Sequence, residues 1–178
     1  MNTVEYIALA FIAYIIIKAL FFTPRTPIPE TSSNITKITT PAQLHALVAS
    51  TQYVVVDFYA DWCPPCRAIA PIFSTLADTY AVNSKLAFAK VNVDHVKDVA
   101  SEFGVTAMPT FVFFRDGLPQ GVHVDGLSGP RGSVVRTEEG FVERVRGADK
   151  VALETVVKAL AREVGGGGGD GGVVGEKN

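Results

Sequence analysis

Apolar positions crowd first into residues 4–22, where 17 of 19 residues are apolar and only Glu5 and Lys18 are charged. Residues 23–34 are rich in Pro, Thr and Ser and read as a linker. From residue 35 the pattern alternates between strand and helix periods. Ile35–Ile38 suits a short strand, and Thr40 before Pro41 is an N-cap with proline at the first helical position, opening a helix through Leu44, Leu47 and Val48. Tyr53–Tyr59 is a continuous β-branched and aromatic run, as in a buried central strand. A helix follows Cys63 with Ile69, Ile72, Phe73 and Leu76 on one face, and Pro71 inside it should kink it. Leu86–Val93, Thr110–Phe114 (ending at Asp116-Gly117) and Phe141–Val145 read as further strands. Val96–Phe103 reads as a short helix, and Asp149 can cap a last helix carrying Val151, Leu153, Val156, Val157 and Leu160. Strands alternating with helices predict an α/β domain over 35–163. Within it, residues 118–139 lose the pattern and read as an inserted surface loop. Residues 164–178 hold eight of the sixteen glycines and are expected to be a disordered tail.

Composition narrows the classes. A length of 178 residues suits one domain of about 100–150 residues with appendages. A net charge of −2 gives no electrostatic footprint for nucleic acid. Two cysteines are too few for a disulfide scaffold. They sit two residues apart, in Trp62-Cys63-Pro64-Pro65-Cys66.

Such a pair serves either as half a zinc site or as a redox dithiol. Zinc needs about four ligands, and the chain has no other cysteine, while His45, His95 and His123 lack ligand spacing. No metal is expected. The redox reading explains the position, after a buried strand and at the first turn of a helix. Free N–H groups and the positive end of the helix dipole there favour a thiolate at Cys63. Cys66, one turn on, is placed to form a disulfide with it. The thiolate would attack a substrate disulfide, and Cys66 would then resolve the mixed disulfide. Asp57 stands among apolar neighbours in Tyr53–Tyr59, where a carboxyl is costly to ionise. It is the candidate proton acceptor or donor for Cys66.

Phe58-Tyr59-Ala60-Asp61-Trp62-Cys63-Pro64-Pro65-Cys66, with Asp57 six residues before Cys63, resembles the thioredoxin active-site segment. Ala107-Met108-Pro109-Thr110-Phe111 resembles the family's cis-proline segment, and the likeness covers about residues 35–117 and 140–163. It implies a thioredoxin fold, a central mixed β-sheet flanked by helices. It implies Cys63 as nucleophile, Cys66 as resolving thiol, Asp57 as buried proton-transfer acid and Lys90 as the lysine that pairs with it. Pro109 would be cis, freeing the Met108 backbone to pair with an incoming peptide. Trp62, Met108, Gly147 and Ala148 match the apolar rim that meets protein substrates.

The Pro-Pro pair between the cysteines departs from the family's commoner Gly-Pro. Isomerase-like relatives carry His before the second cysteine; Pro65 stands there, which favours a reductase. The 118–139 insertion falls in the hairpin between the last two strands. The expected function is reduction of protein disulfides, with no bound cofactor and with electrons from a thioredoxin-reductase-type partner. The alternatives are a membrane-tethered, non-catalytic interaction module and a lumenal disulfide oxidase or isomerase.

The apolar N-terminus bears on the compartment. A helix over 4–22 would be about 28 Å long, near the ~30 Å of a bilayer core. A signal peptide's basic start and small-residue cleavage site are missing, and the Arg-rich amphipathic character of a mitochondrial presequence is absent. Residues 1–22 are therefore expected to be a single transmembrane anchor helix. Lys18, Arg25 and Lys37 follow the span, which places the domain in the cytosol by the positive-inside rule. The tripeptide Asn34-Ile35-Thr36 is a glycosylation sequon and argues for the lumen instead.

Overall fold

The computed structural model describes residues 3–21, 26–127, 129 and 132–166. In chain order the elements are α1 (Thr3–Phe21), β1 (Ile35–Ile38), α2 (Pro41–Ser50), β2 (Tyr53–Tyr59), α3 (Pro64–Tyr80), β3 (Leu86–Asn92), α4 (Lys97–Glu102), β4 (Thr110–Arg115), β5 (Leu118–Pro119), β6 (Val134–Arg136), β7 (Val142–Arg146) and α5 (Lys150–Gly166). The strand order is β1-β3-β2-β4-β7-β6, with β5 paired to β4. β1 and β2 run parallel to β3, whereas β4 is antiparallel to β2 and β7 is antiparallel to β4. This is the mixed sheet with flanking helices that the resemblance implies.

The local signals explain the element ends. Thr40 Oγ1 accepts the Gln43 N–H at 3.3 Å, and Asp149 Oδ1 accepts the Ala152 N–H at 3.0 Å. Each cap is worth about 1 kcal/mol. Asp116 and Gly117 both take positive φ, 49° and 87°, as a tight hairpin between antiparallel strands requires.

All seven residues of β2 are buried, and their alternation feeds two cores. Tyr53 and Val55 pack with Phe73, Phe88, Phe111 and Leu153 on the α3/α5 side. Val54, Val56 and Phe58 pack with Leu44, Val99 and Phe114 on the α2/α4 side. Phe58, Phe73, Phe88, Phe111, Phe113 and Phe114 are fully enclosed. Each contributes on the order of 2–3 kcal/mol of burial. The same alternation turns Asp57 toward the α3 side.

Three segments differ from the plain reading of the sequence. The stretch expected as a linker, 23–34, is described from Thr26, and from there it is bonded to the domain. The Ile28 N–H donates to Asp61 Oδ1 at 3.0 Å, Thr31 Oγ1 to Ser74 Oγ at 2.7 Å, and Ser32 Oγ to Asp78 Oδ1 at 2.6 Å. The 118–139 segment supplies β5 and β6, and Val122 forms a bridge to Val142. Helix α5 continues to Gly166, and the rest of the expected tail lies outside the described residues.

The expected membrane anchor finds no support in the structure. Among the described residues no helix is long and apolar enough to cross a membrane. Ile7, Leu9, Phe11 and Ile12 of α1 are exposed. The membrane localisation and the tethered alternative that rested on the anchor are left without support.

Candidate active site

Helix α3 opens directly on the dithiol. Cys63 is its N-cap, with φ −86° and ψ 109°, and Pro64 and Pro65 occupy the first helical positions. A helix start leaves its first N–H groups without intrahelical partners. Here two of those positions carry no N–H, because proline has none. The first available donor is therefore the Cys66 N–H, and it points at Cys63 Sγ, 3.2 Å away. The next, of Arg67, is taken by Cys63 O at 3.2 Å. The prolines thus aim one backbone dipole at one sulfur, which stabilises negative charge there. Cys63 and Cys66 are joined in a disulfide with Cα atoms 5.3 Å apart. Cys63 is 3% exposed and Cys66 0%.

The rim residues come from three loops. The Met108–Pro109 peptide is cis. Met108 is half-buried and packs on the apolar cluster of Ile28, Tyr59, Ala60, Cys63 and Cys66. The Gly147 N–H donates to Pro109 O at 2.8 Å, which brings Gly147 and the exposed Ala148 beside the cis peptide. Gly147 has φ +75°, a conformation that suits glycine. Trp62 is 47% exposed, and its indole N–H donates to Asp94 Oδ2 at 2.8 Å.

Asp57 lies behind the dithiol. It is 4% exposed, and its Oδ1 has no hydrogen-bond partner among the described residues. Burial raises its pKa from the usual 3.8 to about 7, with the Lys90 charge pulling the other way. Asp57 and Lys90 are register partners on β2 and β3. The Lys90 ammonium, however, forms its ion pair with Glu30, from the segment before β1, and lies 5.5 Å from the centre of the Tyr59 ring. A cavity of about 20 Å³ is lined by Asp57, Lys90, Tyr59, Ser74 and, from that segment, Ile28 and Pro29. It has room for one water molecule. Ile28 and Tyr59 also belong to the apolar cluster around the cysteines, so the cavity and the dithiol share walls.

Sequence reasoning missed Ile28, Glu30, Asp61 and Asp94. Two signals were present. Ile28 is the only strongly apolar residue in 23–34, held between Pro27 and Pro29, and Glu30 is the only acid there.

Comparison with known proteins agrees with this geometry. The Thioredoxin family model matches residues 35–137. A "Thioredoxin" of Neurospora crassa is 40% identical over 131 residues, 74% of this chain and 90% of that protein. A "Thioredoxin-like protein" of Fusarium culmorum is 51% identical over 110 residues, 62% of this chain and 89% of its own length. The crystal structure of Malassezia sympodialis thioredoxin superposes with a TM-score of 0.55 at 31% identity, covering 71% of this chain and 90% of that one. With its cysteine pair at the head of α3, the chain belongs to the thioredoxin family of thiol–disulfide oxidoreductases.

Proposed function

We propose that this protein reduces disulfides in other proteins, with Cys63 as nucleophile and Cys66 as resolving thiol. The observation that carries this reading is the Cys66 N–H on Cys63 Sγ at a proline-blocked helix start. It would stabilise a thiolate at Cys63, the less buried of the two cysteines. In the first step Cys63 S⁻ attacks one sulfur of the substrate disulfide, and the other sulfur leaves as a thiolate. In the second step Cys66 gives its proton to the Asp57 carboxylate, through a water in the shared cavity, and attacks Cys63 Sγ. The Cys63–Cys66 disulfide forms, the second substrate thiolate leaves, and two electrons have passed to the substrate. Met108 and Pro109 would hold the substrate backbone as an added strand, with Trp62, Gly147 and Ala148 around it. A thioredoxin-reductase-type partner would return the two electrons.

The absence of a histidine at Pro65 supports the reducing direction. The test is reduction of a disulfide-bonded protein with dithiothreitol as electron donor. Wild type should be far faster than Cys63→Ser, and equal rates would end the proposal. A potential near about −180 mV, in the isomerase range, would reverse the direction of flow.

A further inference from the structure

The segment 26–34 lies before the first strand and outside the part of the chain that the Thioredoxin family model matches. It nevertheless reaches the buried end of the site. Ile28 is 7% exposed and touches the cluster around the cysteines, and Pro29 closes the cavity beside Asp57. Hydrogen bonds to Asp61, Ser74 and Asp78 fasten the segment along α3 and the turn before it. Arg67 adds another, to Thr26 O. With the segment so held, Glu30 meets Lys90 at the solvent edge of the cavity. The Glu30 side chain is 51% exposed and that of Lys90 9%.

The groups around Asp57 can be named element by element. β3 contributes Lys90, and the segment contributes Glu30, whose other oxygen lies 4.0 Å from Lys37 of β1. β2 contributes Tyr59, whose hydroxyl burial pushes to about 12, so it stays protonated. α3 places Ala70, Phe73 and Ser74 on the cavity, and β4 places Phe111 opposite Asp57; none of these carries charge. Lys90 is thus the one cation facing Asp57 among these groups, and its ion pair is made elsewhere.

We propose that Glu30 is a positioning residue for the dithiol: it holds the Lys90 ammonium at the edge of the cavity, off the unpaired Asp57 oxygen, and so sets the pH at which Asp57 takes the Cys66 proton. This rests on the mechanism proposed above. Without Glu30, the register of β2 and β3 leaves Lys90 its neighbour Asp57 as the available carboxylate. A cation moving onto a carboxylate favours the charged form. Asp57 then ionises at lower pH and becomes a weaker base.

The experiment is a carbon NMR titration of the Asp57 carboxyl in the full chain, oxidised and reduced, for wild type and Glu30→Gln. The expected result is a downward shift of about one pH unit, leaving about fivefold more of Asp57 ionised at pH 6. Glu30→Asp, which keeps the charge, should restore most of the wild-type titration. In a Lys90→Met background the Glu30→Gln shift should vanish. An unchanged titration in Glu30→Gln overturns the proposal, and so does a shift that persists without Lys90. The titration is read without turnover. Failure of the disulfide-reduction assay would remove the function proposed above and leave the Glu30–Lys90–Asp57 coupling standing or falling on its own.

Discussion

Residues 26–34 and 118–139 both depart from the alternation of strands and helices, and they meet the domain at opposite ends of β2. The first has no regular element until β1, yet Ile28 packs on the dithiol cluster and Glu30 holds Lys90. The second supplies β5, β6 and the Val122–Val142 bridge, and buries Val122 in the α3/α5 core. Its Gly121, Val122 and His123 line a cavity of about 140 Å³ with Tyr53, Arg115 and Glu163, at the start of β2 rather than its end. Regular structure therefore does not track proximity to chemistry here. What decides is which end of the central strand a segment covers.

The strongest way to break this contrast is to remove the group that makes the end of β2 special. Asp57 binds its proton more tightly in the folded chain than in the unfolded one, so its contribution to stability is fully present below about pH 4 and is lost as pH rises toward 7. Above pH 7 the ionised carboxylate costs up to about 4 kcal/mol. Asp57→Asn should recover that amount in denaturant unfolding at pH 8 and match wild type at pH 3. It should also slow disulfide reduction by about 10²-fold. A wild-type pH dependence in the variant would show that Asp57 is not the buried acid.

A matched pair sharpens the contrast next. Ile28 and Val122 are buried alike, at 7% and 5% exposure. Ile28→Ala and Val122→Ala should each lower stability by about 2–3 kcal/mol. Only Ile28→Ala should move the pH profile of reduction, because only Ile28 walls the Asp57 cavity; equal profiles would erase the distinction.

Gly121→Ala tests the insertion alone. A Cβ there would stand 2.5 Å from Phe141 Cβ. The crowding should cost about 1–3 kcal/mol in thermal unfolding, with the reduction rate unchanged at a temperature where the chain is folded. The smallest effect belongs to Ser32→Ala, which deletes an exposed hydrogen bond to Asp78 and should cost about 0.5–1 kcal/mol.

Much of the fold was legible because its signals are local. The Tyr53–Tyr59 run, the Thr40 and Asp149 caps and the Asp116-Gly117 turn each state their conformation within a few residues. Cys63, Cys66 and Asp57 were legible for the same reason: two thiols at a helix start and one acid in an apolar strand are anomalies within their own windows. Lys90 was legible as a neighbour of Asp57, but its ion pair was not, because Glu30 lies sixty residues away in a segment whose prolines and hydroxyls say only that it is no helix. Docking depends on complementary partners such as Asp61, Ser74 and Asp78, and no period in the sequence encodes them. Apolarity in 4–22 was plain from composition, yet among the described residues no helix is long and apolar enough to cross a membrane.

One further consequence follows from Trp62, the single tryptophan of the chain. It precedes Cys63 directly, and its indole is tied to Asp94 rather than free to wander. Disulfides quench indole emission at close range by accepting an electron from the excited ring. The protein therefore carries its own optical gauge: the fluorescence of this one ring should brighten when the Cys63–Cys66 bond opens and dim when it closes, so each half-reaction can be timed without a label.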